Sequence, residues 1–180
     1  MSSFATLYPA LADRLATTVP ALGWIDLDQG QLDPGQLDHE YPLPFDAGVV
    51  LIDFDEADWH DIGEGIQRGE CQVRMTLAVR VVADSYQASS QRTGAIAKLS
   101  LLGDIHRALN HFDGGGAFGA LVRTYSRKEA SQLPGVWVYS MGYKVLLTDT
   151  GGYDGATETV SGVEPVGRAG FVLPTSPSSR

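Results

Sequence analysis

The segment spanning residues 89–112 constrains the fold most, because it is the only long stretch whose apolar residues recur at helical spacing. Ser89 or Ser90 is placed to cap its first turn, and the glycine run 114–116 follows its end. The expected apolar stripe is Ala95, Leu99, Leu102, His106 and Leu109, flanked by Ile105 and Phe112. Such a helix would be about 35 Å long. Since strand-like segments lie on both sides of it, we expect it to cross a sheet.

The clearest strand is residues 71–82, where apolar and polar side chains alternate. The central helix is expected to cover its apolar face, which is Val73, Met75, Leu77, Val79 and Val81. Four further strands are predicted: a short edge strand at 24–28, a buried central strand at 48–54, and two more at 118–127 and 136–147. The last carries an aromatic ladder that includes Trp137, Tyr139 and Tyr143.

A first helix is predicted over residues 4–19, with Phe4, Leu7, Leu11, Leu15 and Val19 on one stripe. Residues 29–45 and 55–70 are expected to be long loops. Trp59, in the second loop, either folds back onto the core or anchors a neighbouring molecule. Cys71 has no disulfide partner and is expected to be a small buried side chain.

These segments predict an α+β fold: a mainly antiparallel sheet of four to five strands, a long helix packed across it, and an N-terminal helix. Residues 1–150 form the expected domain. Residues 151–180, rich in Gly, Pro, Ser and Thr, are expected to be an extended C-terminal tail held by a neighbouring subunit. No apolar run is long enough to cross a membrane, and the N-terminus lacks the features of a signal peptide.

Charge is unevenly distributed. The net charge of −9 argues against general nucleic-acid binding. Residues 26–64 contain twelve acidic residues and no Lys or Arg, whereas residues 65–180 contain nine acids and twelve bases, a net charge of +3. One interpretation is a solvated acidic loop region. The other is a head-to-tail contact in which the acidic part of one copy meets the basic part of the next.

No pattern for nucleophilic catalysis or nucleotide binding is complete. Ser140 lies within a strand and lacks the preceding glycine of a hydrolase elbow. His106 and His111 are five residues apart, which places them on different helical faces. The glycines at 63, 65 and 69 precede a strand, whereas the dinucleotide fingerprint opens a helix. We therefore predict no catalytic residue, no cofactor-binding residue and no cofactor.

The best candidate for a hard cation is the acidic group Asp53, Asp55, Glu56, Asp58, His60 and Asp61. It lacks the glycine and terminal glutamate of a calcium loop, so solvated acids are the preferred interpretation and no metal ligand is assigned. Four arginines are expected to form a stripe on the sheet's outer face, where they either pair with acids of a neighbour or keep the sheet soluble: Arg74, Arg80, Arg123 and Arg127.

Several stretches are similar to the tail terminator or tail completion proteins of long-tailed bacteriophages and prophages. They are the N-terminal helix FATLYPALADRLATTVPAL, the strand ending LIDF, the segment GEGIQRGECQVRMTLAVRVV, the helix LSLLGDIHRALNHF, and the closing pair LVRTYSRKEA and VWVYSMGYKVLLTD. The resemblance covers roughly residues 3–150 and depends on the order of elements. The loop 29–45 and the C-terminal tail depart from the family's pattern.

The resemblance implies a structural virion protein that is not an enzyme. Its family forms a hexameric ring that caps the tail tube and joins it to the neck or connector, with genome DNA passing through the lumen. The implied partners are further copies of the chain, the tail tube protein and neck proteins, with no membrane. The implied location is the virion tail, after assembly in the host cytoplasm. An acidic lining would repel the DNA backbone.

Three alternatives stay open. Within the virion, the chain would be a head–tail connector or neck adaptor. In another class, it would be a small metal-dependent enzyme that uses the acidic loop. The third is a bacterial accessory protein of a contractile injection system.

Overall fold

A computed structural model of the protein describes residues 3–33, 42–81 and 85–152. The elements, in chain order, are α1 (Ser3–Thr18), β1 (Trp24–Leu27), β2 (Val49–Gly63), β3 (Ile66–Arg80), α2 (Arg92–Leu109), β4 (Val122–Glu129) and β5 (Val136–Asp149). The five strands form one sheet in the order β1-β2-β3-β5-β4. Among the strand pairs of the described residues, only β1–β2 is parallel. The predicted α+β fold is therefore confirmed.

The main core lies between the sheet and the two helices. Leu7, Leu11 and Leu15 of α1 are fully buried there, as are Ile105 and Leu109 of α2. The sheet contributes the apolar face predicted for β3 together with Met141, Tyr143, Val145 and Leu147 of β5. Successive strand residues point to opposite faces, so this set defines the inner face of the sheet.

The opposite, outer face carries no helix within the described chain. A second apolar cluster lies on this face, across β2, β3 and β5. In it, Phe45 packs with the strand residues Val49, Leu51, Ala78, Val136 and Val138. Leu32, Leu43 and Leu133 pack around that cluster. The rest of the outer face carries mostly polar side chains, with Val122 and Leu146 also exposed on it. The sheet is therefore buried on one side and partly exposed on the other, as antiparallel sheets commonly are.

The prediction of a loop over residues 55–70 is wrong. β2 continues to Gly63, and β3 begins at Ile66, so the two strands form one long hairpin. Glu64 and Gly65 make the turn, both with positive φ (56° and 73°), which is the backbone conformation of a tight hairpin turn. The hairpin could not be predicted from apolar alternation, because its exposed strand segments contain few apolar residues.

The central helix is shorter than expected and presents a different face. It runs from Arg92 to Leu109, and its N-cap Gln91 makes no side-chain capping hydrogen bond; Ser89 accepts from the Gln91 N–H in the preceding turn. The buried stripe is Ala95, Leu101, Ile105, Ala108 and Leu109, whereas Leu99 is exposed and His106 is half-buried. The expected stripe was rotated because apolar residues occur on more than one side of this helix.

The fourth strand is also displaced from its prediction. β4 starts at Val122 rather than Phe118, because the backbone of Leu121 is hydrogen-bonded to Phe112 and His111 beyond α2. It extends to Glu129, which shortens the connection to β5. A bulge between Arg123 and Tyr125 reverses the side-chain alternation within β4.

Several local predictions are confirmed. Of the stripe predicted for the first helix, Leu7, Leu11, Leu15 and Val19 are buried and Phe4 is half-buried. Cys71 is fully buried, and β1 is an edge strand of the described sheet. Trp59 folds back onto the core, where its ring meets Phe4 edge-on at 6.3 Å and lies over Gly69. Part of the loop 29–45, and nearly all of the tail 151–180, lie outside the described residues. No helix in the described ranges is long and apolar enough to cross a membrane.

Candidate functional site

The polar half of the outer face carries a group of charged side chains contributed by β2, β3 and β4. The strand register sets Asp53, Arg74, Gly142 and Tyr125 side by side across four strands. Thr76, Ser140 and Arg127 form the neighbouring row. We refer to Asp53, Asp55, Arg74, Tyr125, Arg127 and Glu129 as the outer polar cluster.

Arg74 holds the acidic side of this cluster together. Its Nη2 donates to Asp53 Oδ2 and lies 3.0 Å from Asp55 Oδ1. Partial burial disfavours the guanidinium charge, but the hydrogen bond to Asp53 and the charge of Asp55 outweigh it, so the pKa of Arg74 is raised. About a third of each of these three side chains is exposed, so solvent screens the pairs and their contribution to stability is modest.

Tyr125 covers the middle of the outer face. Its ring occupies the space above Gly142, where a side-chain carbon would overlap it. The Tyr125 hydroxyl lies 3.3 Å from Ser140 Oγ, and the Arg127 guanidinium lies 5.1 Å from the ring centre. Arg127 Nε also donates to Glu129 Oε1 at 2.6 Å, which raises the pKa of Arg127. Ser140 is thus covered by Tyr125 within the sheet, in line with its interpretation as a strand residue.

The structure does not assemble the predicted arginine stripe. Arg74 and Arg127 lie on the outer face, and Arg80, at the end of β3, lines a cleft with Asp46 and Lys98. Arg123 pairs in register with Tyr143 and therefore lies on the inner face. The bulge after Arg123 is the physical reason, because one extra residue inverts every side chain on one side of it.

His106 belongs to the inner face. Its Nδ1 lies 3.4 Å from the hydroxyl of Tyr143, which is fully buried. Burial and the positive charge of Arg123 lower the pKa of His106, and burial raises the pKa of Tyr143 to about 12. His111 follows α2 with a left-handed φ of 59°, so the two histidines do not share a helical face. The pair of His106 and Tyr143 is a packing contact within the core.

The acidic candidates for a cation site are distributed along β2. Asp53 and Asp55 face Arg74, and Asp61 Oδ1 accepts the N–H of Gly63 at the hairpin turn. Asp58 and His60 pair in register with Glu70 and Arg68 of β3. In the parts of the chain that the structure describes, no three His, Cys, Asp or Glu side chains are placed to share a metal ion.

The most informative feature that sequence reasoning missed is the edge of the sheet formed by β2. Its residues 53–63 pair with β3 but, within the described ranges, with no strand on the other side. A signal for the hairpin was present in the run Gly63-Glu64-Gly65, since glycine readily adopts the positive φ that a two-residue hairpin turn requires.

No protein-family model matches this chain, and no curated protein matches it either.

Proposed function

We propose that the protein is a structural subunit of a homo-oligomeric ring that caps the tail tube of a long-tailed bacteriophage and joins it to the neck. The ring is expected to be hexameric, with genome DNA passing through its lumen without specific binding. Further copies of the chain, the tail tube protein and a neck or connector protein are the proposed partners. The family resemblance and the shape of the sheet support this assignment.

The observation that carries the proposal is the one-sided sheet. Both helices pack on its inner face, while much of the outer face is an exposed polar surface. Charged groups on that surface are paired with one another, either between neighbouring strands, as in Arg74 with Asp55, or along one strand, as in Arg127 with Glu129. An exposed sheet surface whose charges are paired is suited to contact with another protein, whereas a small-molecule site buries most of its ligand in a concave pocket.

The distribution of acidic residues supports the proposed passage of DNA. Asp53, Asp55 and Asp58 all lie on β2, within the segment that has no basic residue. If β2 faces the ring axis, this segment repels the phosphate backbone and provides no site at which DNA would be retained. A ring in which β2 faces outward would contradict this part of the proposal.

Two measurements test the proposal. Native mass spectrometry and negative-stain electron microscopy of the purified chain should show closed rings with a central opening. Addition of the chain to polymerising tail tube protein should shorten the tubes and place a ring at one end. A monomer or dimer that binds a metal ion and leaves tube length unchanged would contradict the proposal and favour the enzyme alternative.

A further inference from the structure

The sheet has two edges that lack a partner strand among the described residues. On one side, the pairing of β1 with β2 ends at Leu27 and Ile52, so that, among the residues that the structure describes, residues 53–63 of β2 are bonded only to β3. On the other side, β4 is bonded to β5 and to no further strand of the described ranges. In antiparallel pairs, alternate backbone N–H and C=O groups point away from the partner strand. Within the described parts of the chain, both edges therefore present unpaired backbone groups that a further strand can bind.

The two edges carry opposite charge. Residues 53–63 contain five acidic residues and no Lys or Arg, whereas β4 contains Arg123, Arg127 and Lys128 against one acid, Glu129. Within the chain, Arg74 is shared by Asp53 and Asp55, and Glu129 pairs with Arg127. In the described part of the chain, Glu56 and Asp58 on the acidic edge, and Arg123 and Lys128 on the basic edge, form no ion pair and are exposed.

The acidic edge also contains a repulsive contact. Asp58 lies directly opposite Glu70 on β3. Lys144 lies 3.2 Å from Glu70, while no lysine or arginine within the described ranges lies within ion-pair distance of Asp58. Like charges directly opposite each other in a sheet are destabilising. Asp58 and Glu70 lie on the outer face, whereas Arg123 and Lys128 lie on the inner face, so a neighbour's β4 would offset this repulsion through the overall charge of its edge and not through a facing pair.

We propose that residues 53–63 of β2 in one copy pair with β4 of the next copy, so that the sheet continues from subunit to subunit. This inference rests on the proposed self-assembly and names its contact. The charges select the partner, because two acidic edges repel each other and so do two basic edges. Only the head-to-tail combination of β2 with β4 is attractive. A head-to-tail contact builds a ring when its rotation closes.

Strand direction is consistent with this contact. Successive neighbours from β2 through β3 and β5 to β4 are all antiparallel, so β4 runs opposite to β2. A second copy in the same orientation therefore brings its β2 antiparallel to β4 of the first. In the register of the sheet, β4 lies level with the part of β2 that precedes Ala57, and the free edge extends beyond that level. For β4 to pair along the full length of that free edge, the next copy must be displaced along the strand direction. Closed barrels contain a comparable stagger between their tilted strands.

The test is a charge exchange between two variants. Variant one, Glu56→Lys with Asp58→Lys and Asp61→Lys, leaves two acids and three lysines in residues 53–63 and therefore has two basic edges. Variant two, Arg123→Glu with Lys128→Glu, has two acidic edges. We expect each variant alone to lose assembly by roughly tenfold or more in concentration, as measured by native mass spectrometry. Mixed in equal amounts, they should form alternating assemblies that contain both chains in a 1:1 ratio. Restoration on mixing also shows that both variants are folded.

The matched control reverses two exposed helix charges, Asp13→Lys with Arg92→Glu, and should assemble like the unmodified chain. Unchanged assembly of both edge variants, with rings still present, would overturn the edge contact and leave ring formation intact. Open 1:1 chains restored by mixing would support the edge contact and contradict the ring. Absence of assembly in the unmodified chain, alone and with tube protein, would overturn both proposals.

Discussion

The identity of the buried face of α2 leads to a quantitative prediction. Ile105 is fully buried against the sheet, whereas Leu99, which has a comparable volume on the same helix, is 36% exposed. Replacement of each by alanine, as Ile105→Ala and Leu99→Ala, removes the same number of carbon atoms. The difference between the two variants therefore reports which face of the helix is packed.

The expected cost follows from burial. Ile105→Ala removes three buried carbon atoms, or about 2.4 kcal/mol at about 0.8 kcal/mol for each, and the residual cavity adds to this. Alanine's higher helix propensity returns only a few tenths of a kcal/mol. We expect a loss of about 3 kcal/mol in the free energy of unfolding. Leu99→Ala should cost about 1 kcal/mol or less, because solvent already contacts that side chain and no cavity forms.

Urea denaturation followed by circular dichroism measures both losses. With a slope of about 1–3 kcal/mol per molar urea, the Ile105→Ala midpoint should fall by about 1–3 M. The Leu99→Ala variant serves as the control for the loss of apolar surface on this helix. Equal midpoints for the two variants, or a larger loss for Leu99→Ala, would refute the assignment of the buried face.

Three further predictions concern single sites. Gly69→Val should destabilise the hairpin by about 1–3 kcal/mol and expose Trp59 to solvent, because a side chain at residue 69 overlaps the Trp59 ring. Tryptophan fluorescence measures the exposure, and an unchanged emission maximum would contradict the prediction. Cys71, whose pKa burial raises to about 11, should react with a thiol reagent at pH 8 only after unfolding, and rapid labelling of the folded protein would count against its burial. His106 has a lowered pKa in the folded state, so the unfolded chain binds more protons and stability should fall as pH decreases below about 6.5; His106→Gln should flatten that decline, and an identical pH profile would show that another group causes it.

The order and type of most elements could be predicted from the chain because buried elements carry an apolar period. α1 is the clearest case, since Leu7, Leu11 and Leu15 are spaced at one helical turn and all three are buried. β3 is the second, since its alternation marks the face that the helices cover. The hairpin at the exposed end of β3 was not predicted, because the side chains of exposed strands do not have to alternate between apolar and polar.

The placement of charged residues was less predictable. Arg123 and Arg127 share a side if β4 is regular, yet the bulge between Arg123 and Tyr125 sends them to opposite faces. The acidic residues of β2 were expected to lie in a loop and instead form a sheet edge. Sequence spacing fixes faces only where the backbone is regular, and a bulge is a local departure that the spacing does not encode.

The sequence by itself determined the α+β class, the two helices and strand β3, because burial of apolar side chains on one face produces a periodic pattern that can be read along the chain. Only the tertiary structure decided which side of α2 is buried, where β2 ends and which charges border each edge. Those outcomes depend on tertiary contacts and on pairing between strands. Where the side chains of a strand stay exposed to solvent, its pairing imposes no periodic pattern on the sequence.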